Sequence, residues 1–123
     1  MLKQILLVGI GGGIGSILRF LISQLTVREK VISFPVATFT VNIVGCLMIG
    51  LFLGCSFKHL AIDSNMKALL ITGLCGGLTT FSAFSLENFQ LYQSGNYTTL
   101  IIYVLASIII GFAAVWIGIT MTK

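Results

Sequence analysis

The amino-acid sequence predicts an all-α integral membrane protein with four transmembrane helices. Hydrophobic residues make up 57% of the 123-residue chain, and only 8% of its residues are charged. Soluble domains carry roughly a quarter charged residues, and a chain this short has too little interior to hide so much apolar surface from water. The apolar residues also fall into four runs, each close to the roughly 20 residues that a helix needs to cross a bilayer.

These runs form one expected four-helix domain over residues 1–123, with spans at residues 2–25, 36–57, 67–92 and 98–121. Pro35 precedes the second run, and proline is favoured where a helix begins. The connections are short, so we expect no separate soluble domain. The first run is long enough to span a membrane and has no small-residue cleavage site, so we expect no cleavable signal peptide.

Composition and spacing exclude several classes of site. The net charge of +4 is spread along the chain, without the basic cluster of a nucleic-acid interface. Cys46, Cys55 and Cys75 lie in apolar runs at spacings unlike zinc or redox sites, which indicates packing residues. His59 is the single histidine, and we expect an ordinary solvated loop residue because a metal site needs several ligands. No nucleotide loop or activated nucleophile is evident, so we expect neither nucleotide binding nor an enzyme.

The charges flanking the spans give a weak orientation signal. Four lysines lie on one side of the expected membrane, namely Lys3, Lys58, Lys67 and Lys123. The opposite side carries Arg28 and Lys30, with Arg19 if its side chain reaches out. Such a balance hardly favours one orientation. It permits insertion both ways and hence an antiparallel homodimer. Glycines four residues apart, such as Gly9 and Gly13 or Gly73 and Gly77, further indicate close helix packing within or between subunits.

The third span is expected to be broken at mid-membrane depth. Residues 73–80 read Gly-Leu-Cys-Gly-Gly-Leu-Thr-Thr, and glycine disfavours a helix interior by about 1 kcal/mol relative to alanine. Non-helical backbone at that depth is tolerated only where protein or a polar cavity satisfies it, and broken membrane helices often bind ions. A simple glycine kink for packing is the alternative, and this stretch alone does not decide between them.

Neutral hydrogen-bond donors and aromatic rings recur near this break. Phe81 and Phe84 share a helical face with Ser85 and Asn88. Asn42 lies inside the uncharged second span, where a buried amide must find partners. Tyr103 and Ser107 are four residues apart on the fourth span and share a face. Such donors suit an anion that must shed its water.

Three ordered motifs resemble those of the Fluc, or CrcB, family of fluoride channels. Gly12-Gly13-Ile-Gly-Ser-Ile-Leu-Arg19-Phe20 resembles the first-helix motif, and residues 42–50, Asn-Ile-Val-Gly-Cys-Leu-Met-Ile-Gly, resemble the second-helix motif. The third and most specific lies in residues 73–84, ending Thr-Thr-Phe-Ser-Ala-Phe. The resemblance covers nearly the whole chain. It implies antiparallel homodimers in the cell membrane, each with two pores that conduct fluoride passively and confer fluoride resistance.

The resemblance also implies roles for individual residues. Phe81 and Phe84 match paired phenylalanines whose positive ring edges face the ion. Gly76 and Thr79 match positions whose backbone carbonyls hold a central sodium ion at the dimer interface, with oxygen ligands suited to a hard cation. The remaining pore positions on the polar track are Asn42, Ser82, Tyr103 and Ser107. Ala83, Cys46, Phe20 and Gly111 depart from the family pattern.

Apart from Lys3 and Lys67, which lie at the starts of their spans, the predicted spans contain two charges, and intramembrane charges are functional candidates. Arg19 either snorkels to the interface or raises the local anion concentration in an aqueous vestibule. Glu87 is either solvated near the end of its span or an access residue. Its charge would disfavour an anion unless it is hydrogen-bonded or paired.

Two other classes of protein stay open as alternatives. A small dual-topology multidrug exporter would need a buried acid in its first span, and residues 2–25 contain no Asp or Glu. A non-transport scaffold subunit would explain the glycines by packing, yet it leaves the donors beside paired aromatics without a purpose.

Overall fold

A computed structural model describes residues 1–26, 33–57 and 62–123 of the chain. Helices α1 (Leu2–Thr26) and α2 (Val36–Phe57) form the first two spans. The third begins with the short helix α3 (Ser64–Lys67) and the fourth is α6 (Tyr97–Thr122). Within these ranges, four helical stretches are long and apolar enough to cross a membrane, with mean hydropathies of 2.1, 2.2, 1.6 and 2.7. The prediction of four apolar spanning helices is confirmed.

The third span changes its helical geometry twice before it is interrupted. After α3, the backbone widens into a π-helix over Ala68–Cys75 and tightens again in the single turn α4 (Gly76–Leu78). Thr79 and Thr80 then adopt extended backbone angles, and α5 (Phe81–Gln93) starts a new helix. The interruption therefore falls at the end of the Gly-Leu-Cys-Gly-Gly-Leu-Thr-Thr stretch.

Two close helix pairs organise the subunit. α1 packs against the π-helix and α4, while α2 packs along α6. Glycine permits both contacts, because a Cβ on Gly15 would lie only 2.7 Å from the Leu78 amide nitrogen and one on Gly118 only 2.6 Å from the Leu47 carbonyl oxygen. The backbones thus approach as closely as small residues allow in membrane helix pairs. By contrast, a Cβ on Gly9 or Gly13 would meet nothing within 4 Å in the described part of the chain, so these two glycines are not needed for helix packing there.

The helix ends lie close to the predicted bounds, with one larger difference. The third span starts at Ser64 rather than Lys67 because the Asp63 carboxylate accepts a 2.8 Å hydrogen bond from the Met66 amide, which caps the helix three residues earlier. Asn96 caps α6 in the same way, after a turn in which Gly95 has a φ of 74°. Four residues of the sequence analysis lie outside the described residues, namely Arg28, Lys30, Lys58 and His59. The predicted solvation of His59 and the predicted membrane side of the three basic residues therefore stay predictions.

Candidate functional site

The interruption of the third span is held by a side chain of the second span. Asn42 Oδ1 accepts a 2.8 Å hydrogen bond from the Thr80 amide, and Asn42 Nδ2 donates a 3.2 Å hydrogen bond to the Thr80 carbonyl. Both ends of one side-chain amide therefore bind the backbone N–H and C=O of one residue. The first of these bonds satisfies the Thr80 amide, which has no helical acceptor where the helix is interrupted.

The Thr80 side chain starts the next helix. Its hydroxyl accepts a 3.2 Å hydrogen bond from the Ala83 amide, which makes Thr80 the N-cap of α5. The same hydroxyl lies 3.1 Å from the Ser82 hydroxyl. Ser82, a predicted pore residue, is therefore brought to the start of α5 beside the interruption, and it is exposed on the subunit.

Two backbone carbonyls lose their helical donors at this point. In a continuous α-helix, the carbonyls of Gly76 and Thr79 would accept from the amides four residues later, at Thr80 and Ala83. The Thr80 amide donates instead to Asn42, and the Ala83 amide donates instead to the Thr80 hydroxyl. Gly76 and Thr79 are the two positions that the sequence predicted to bind a cation. Their carbonyls are the ones whose helical donors bind to side chains instead.

Aromatic rings line up from the start of α5 towards α6. The centroids of Phe81 and Phe84 are 5.8 Å apart with planes tilted by 33°, and Phe84 lies 4.9 Å from the ring of Tyr103. Phe34, just before α2, packs edge-on against Tyr103 at 5.2 Å. Tyr103 is fully buried, whereas Phe81 is 79% exposed on the single chain. The row therefore runs from the interior to the surface of the helix bundle.

Glu87 is hydrogen-bonded on both carboxylate oxygens. Thr38 donates a 2.6 Å hydrogen bond to Oε1, and Tyr103 donates a 2.7 Å hydrogen bond to Oε2. The carboxylate therefore joins α2, α5 and α6 at one point. Bonds to an ionised acceptor are among the stronger hydrogen bonds in proteins, so Glu87 is held in place rather than loosely solvated.

Ser107 supplies a hydroxyl that has no protein partner. Its Oγ is buried and makes no hydrogen bond within the described part of the chain. Ser107 lies one helical turn from Tyr103 on α6, as the sequence spacing predicts. A buried hydroxyl without a partner is uncommon in proteins, and this one remains free to donate to a ligand.

Arg19 and Glu87 line the same cavity of about 340 Å³ between α1, α2 and α5. Ser16 and Ser23 contribute from α1, and Thr38 contributes from α2. The cavity thus holds one cationic and one anionic side chain together with several hydroxyls. It reaches the Thr38–Glu87 hydrogen bond from the α1 side.

Sequence reasoning did not single out Thr38 or Phe34, although both contact the predicted residues. Thr38 lies four residues before Asn42 on α2, so the two share a helical face inside an apolar span. The four-residue spacing of these two polar residues was the sequence feature that could have identified Thr38. Phe34 precedes the helix and gave no periodic signal, and its contact with Tyr103 depends on how α2 packs along α6.

Comparison with known proteins identifies the family. Residues 6–119 match the family described as CrcB-like protein, Camphor Resistance (CrcB). The chain belongs to the CrcB family. Over its whole length it is 58% identical to the fluoride-specific ion channel FluC of Azobacteroides pseudotrichonymphae, covering 98% of that relative. It is 46% identical to the FluC of Flavobacterium psychrophilum over 99% of the chain and 98% of the relative. The FluC of Aquifex aeolicus is 44% identical over 90% of each chain.

Family membership confirms the resemblance drawn from the three motifs. With four apolar helices of spanning length, this member of the CrcB family is a multi-pass protein of the cell membrane.

Proposed function

We propose that the chain is one subunit of a fluoride-selective channel through which fluoride leaves the cell passively, giving resistance to fluoride. The observation that carries the proposal is the row of Phe81, Phe84 and Tyr103 rings beside the interrupted helix, in a chain whose close relatives are fluoride-specific ion channels. The protein is a channel and not an enzyme. Its transported substrate is the fluoride ion, and lipid surrounds it.

The chemistry of the row suits fluoride. The edge of an aromatic ring carries partial positive charge, and the Ser107 hydroxyl has a free hydrogen to donate. Such groups can replace part of the hydration shell of a small anion without holding it so tightly that it cannot leave. In this proposal Phe81, Phe84, Asn42, Ser82, Tyr103 and Ser107 line the path. The Asn42 amide also binds Thr80, and its nitrogen carries a second N–H donor.

Two subunits in antiparallel orientation form the channel in this proposal, with two pores. The support is that Phe81 is 79% exposed on a single subunit, so one subunit cannot enclose a path along its ring. Gly9, Gly13 and Gly76 are likewise exposed, and a Cβ at Gly9 or Gly13 would meet nothing. The small difference in the number of basic residues between the two sides permits the opposite insertion of the two copies.

A sodium ion at the centre of the dimer interface completes the proposal. The Gly76 and Thr79 carbonyls fit this role because the amides that would pair with them donate elsewhere. Two copies would supply four oxygens, and hard cations bind carbonyl oxygens. When bound, the ion supplies positive charge that holds the two interrupted helices together. The interruption would then lie at mid-membrane depth, where protein and ion satisfy the exposed backbone.

Arg19 and Glu87 serve the entry to the path. Arg19 lines an open cavity that leads to Thr38 and Glu87, and a cation there raises the local concentration of anions. The negative charge of Glu87 is compensated by two hydroxyl donors. It therefore holds the Thr38 and Tyr103 side chains in place beside the cavity.

Fluoride release from liposomes tests the function. Purified protein is reconstituted into vesicles loaded with potassium fluoride or potassium chloride, and a potassium ionophore is added to carry the counter-charge. We expect rapid fluoride release, followed with an ion-selective electrode, and no chloride release above that of empty vesicles. Release of both halides would refute the selectivity, and release of neither from well-reconstituted protein would refute the channel.

A further inference from the structure

We propose that Asn42 is a positioning residue that keeps the third span open at Thr80, an inference that rests on the proposed channel function. An asparagine amide has an oxygen that accepts hydrogen bonds and a nitrogen that donates them. Both meet the backbone of the same residue, with Oδ1 at 2.8 Å from the Thr80 nitrogen and Nδ2 at 3.2 Å from the Thr80 oxygen. This two-bond contact matches the pairing between residues of adjacent β-strands, and it fixes the two peptide groups on either side of the Thr80 Cα in an extended arrangement.

The contact decides between two backbone states at Thr80. The residue is extended, with φ of −151° and ψ of 120°, although helices adjoin it on both sides. Without Asn42, the Thr80 amide would be unpaired in the extended state, which is strongly unfavourable in a membrane interior. In a continuous α-helix its acceptor would be the Gly76 carbonyl, and that bond would extend α4 through Thr80. Asn42 therefore stabilises the interrupted state, because its Oδ1 is the acceptor that the extended Thr80 amide would otherwise lack.

The consequences reach both the rings and the cation site. α5 starts at Phe81, directly after the held residue Thr80, so the angles at Thr80 set the direction in which Phe81 and Phe84 point. If Thr80 became helical, its amide would return to the Gly76 carbonyl and withdraw that oxygen from a sodium ion. Asn42 thus acts on both through one residue of the third span.

Solid-state NMR on the unmodified protein in liposomes tests the contact directly. With Asn42 Cγ labelled with 13C and Thr80 nitrogen labelled with 15N, we expect a dipolar contact between these atoms that persists at saturating fluoride. Loss of the contact when fluoride is added would show that the amide turns to the ion. Its absence in both conditions would show that the peptide is not held. Either result overturns the proposal.

A pair of variants tests the consequence. In Asn42→Ala, we expect the Thr80 Cα and Cβ chemical shifts to move from extended towards helical values, and fluoride release to fall about tenfold or more, since a buried hydrogen-bond partner is lost. Ser107→Ala should slow release while leaving the Thr80 shifts extended. Unchanged Thr80 shifts in Asn42→Ala would overturn the proposal. Because the NMR contact needs no ion flux, failure of wild-type liposomes to release fluoride would refute the channel without deciding this contact.

Discussion

Tyr103 donates a 2.7 Å hydrogen bond to Oε2 of Glu87 and so joins the fourth span to the second half of the third. Thr38 donates to the other oxygen of the same carboxylate, which adds the second span. One carboxylate therefore links three helices at the inner end of the Arg19 cavity. The acid lies beside a proposed anion path, and its two hydroxyl donors offset its charge there.

Removing this carboxylate is expected to destabilise the fold. In Glu87→Ala, the hydroxyls of Thr38 and Tyr103 lose their acceptor, and the free energy of unfolding should fall by about 1–3 kcal/mol. The measurement is thermal unfolding of the purified protein in detergent. Gln90→Ala, at an exposed position of the same helix, is the matched control and should unfold like wild type. Equal unfolding temperatures for Glu87→Ala and wild type would contradict the role of Glu87 as a link.

Because the Ser107 hydroxyl is unpaired in the described part of the protein, its removal is expected to slow fluoride release without lowering the free energy of unfolding. Ser107→Ala removes a buried group that makes no hydrogen bond in the described part of the protein, so the free energy of unfolding should stay level or rise slightly. Fluoride release should nevertheless slow, because the path loses a donor. Ser56→Ala removes a second buried hydroxyl of the same kind, and it should leave both stability and release unchanged. If the two variants behaved alike in release, Ser107 would not lie on the path.

Replacing a glycine of the first span by alanine is expected to affect the unfolding temperature differently at Gly15 and at Gly13. Gly15→Ala places a Cβ 2.7 Å from the Leu78 amide nitrogen, and overpacking of this kind destabilises by about 1–3 kcal/mol. Gly13→Ala meets no neighbouring element of the described chain within 4 Å, so it leaves the packing of α1 against the third span undisturbed. Its unfolding temperature should therefore lie above that of Gly15→Ala. The reverse order would contradict the packing of α1 against the third span.

Gly13 also tests the proposed dimer. A larger side chain in Gly13→Leu points away from the neighbouring helices, because a Cβ there meets no other element of the described chain within 4 Å and Gly13 is exposed. If the open face of α1 packs against a second copy, this variant should shift the protein from dimer to monomer. Mass measurement by light scattering in detergent distinguishes the two states. A dimer as stable as wild type would exclude this face from the interface.

Sodium should stabilise the assembled protein. A ligand that binds only the folded state adds about 2.7 kcal/mol at a concentration 100 times its dissociation constant. We therefore expect the unfolding temperature to rise when N-methylglucamine is replaced by sodium at constant ionic strength. In Asn42→Ala the rise should shrink, because the Gly76 carbonyl regains a helical donor. If the unfolding temperature of the wild type were the same in sodium as in N-methylglucamine, the cation site would be refuted.

The spans were predictable from sequence because burial in lipid leaves a simple compositional signal. Each predicted span overlaps an observed helix almost end to end, and the larger error at the third came from overlooking the cap at Asp63. The π-helix over Ala68–Cys75 was not predictable from hydropathy. Its residues are apolar in any helical form, and this stretch adjoins the glycines of α1, a contact between elements distant in sequence.

The candidate site was predictable in its residue types and less so in its contacts. Polar groups within apolar spans identified Asn42, Tyr103 and Ser107, because each needs a reason to be buried. The sequence did not indicate that Asn42 would use both ends of its amide on Thr80, since that depends on the extended angles of a residue in another span. Thr38 was missed although it shares a face with Asn42. The partner that makes it part of the site, Glu87, lies 49 residues away.

The most direct test of the account compares two phenylalanines that are equally exposed on the subunit. Phe81 is 79% exposed beside the interrupted helix, and Phe112 is 81% exposed on α6. Phe81→Ile removes a ring edge from the proposed path, while Phe112→Ile makes the same change away from the ring row. With both variants reconstituted at equal density in fluoride-loaded liposomes, the account predicts that Phe81→Ile releases fluoride at the rate of empty vesicles and Phe112→Ile at the wild-type rate. Wild-type release from Phe81→Ile would contradict the proposal that fluoride passes along this ring.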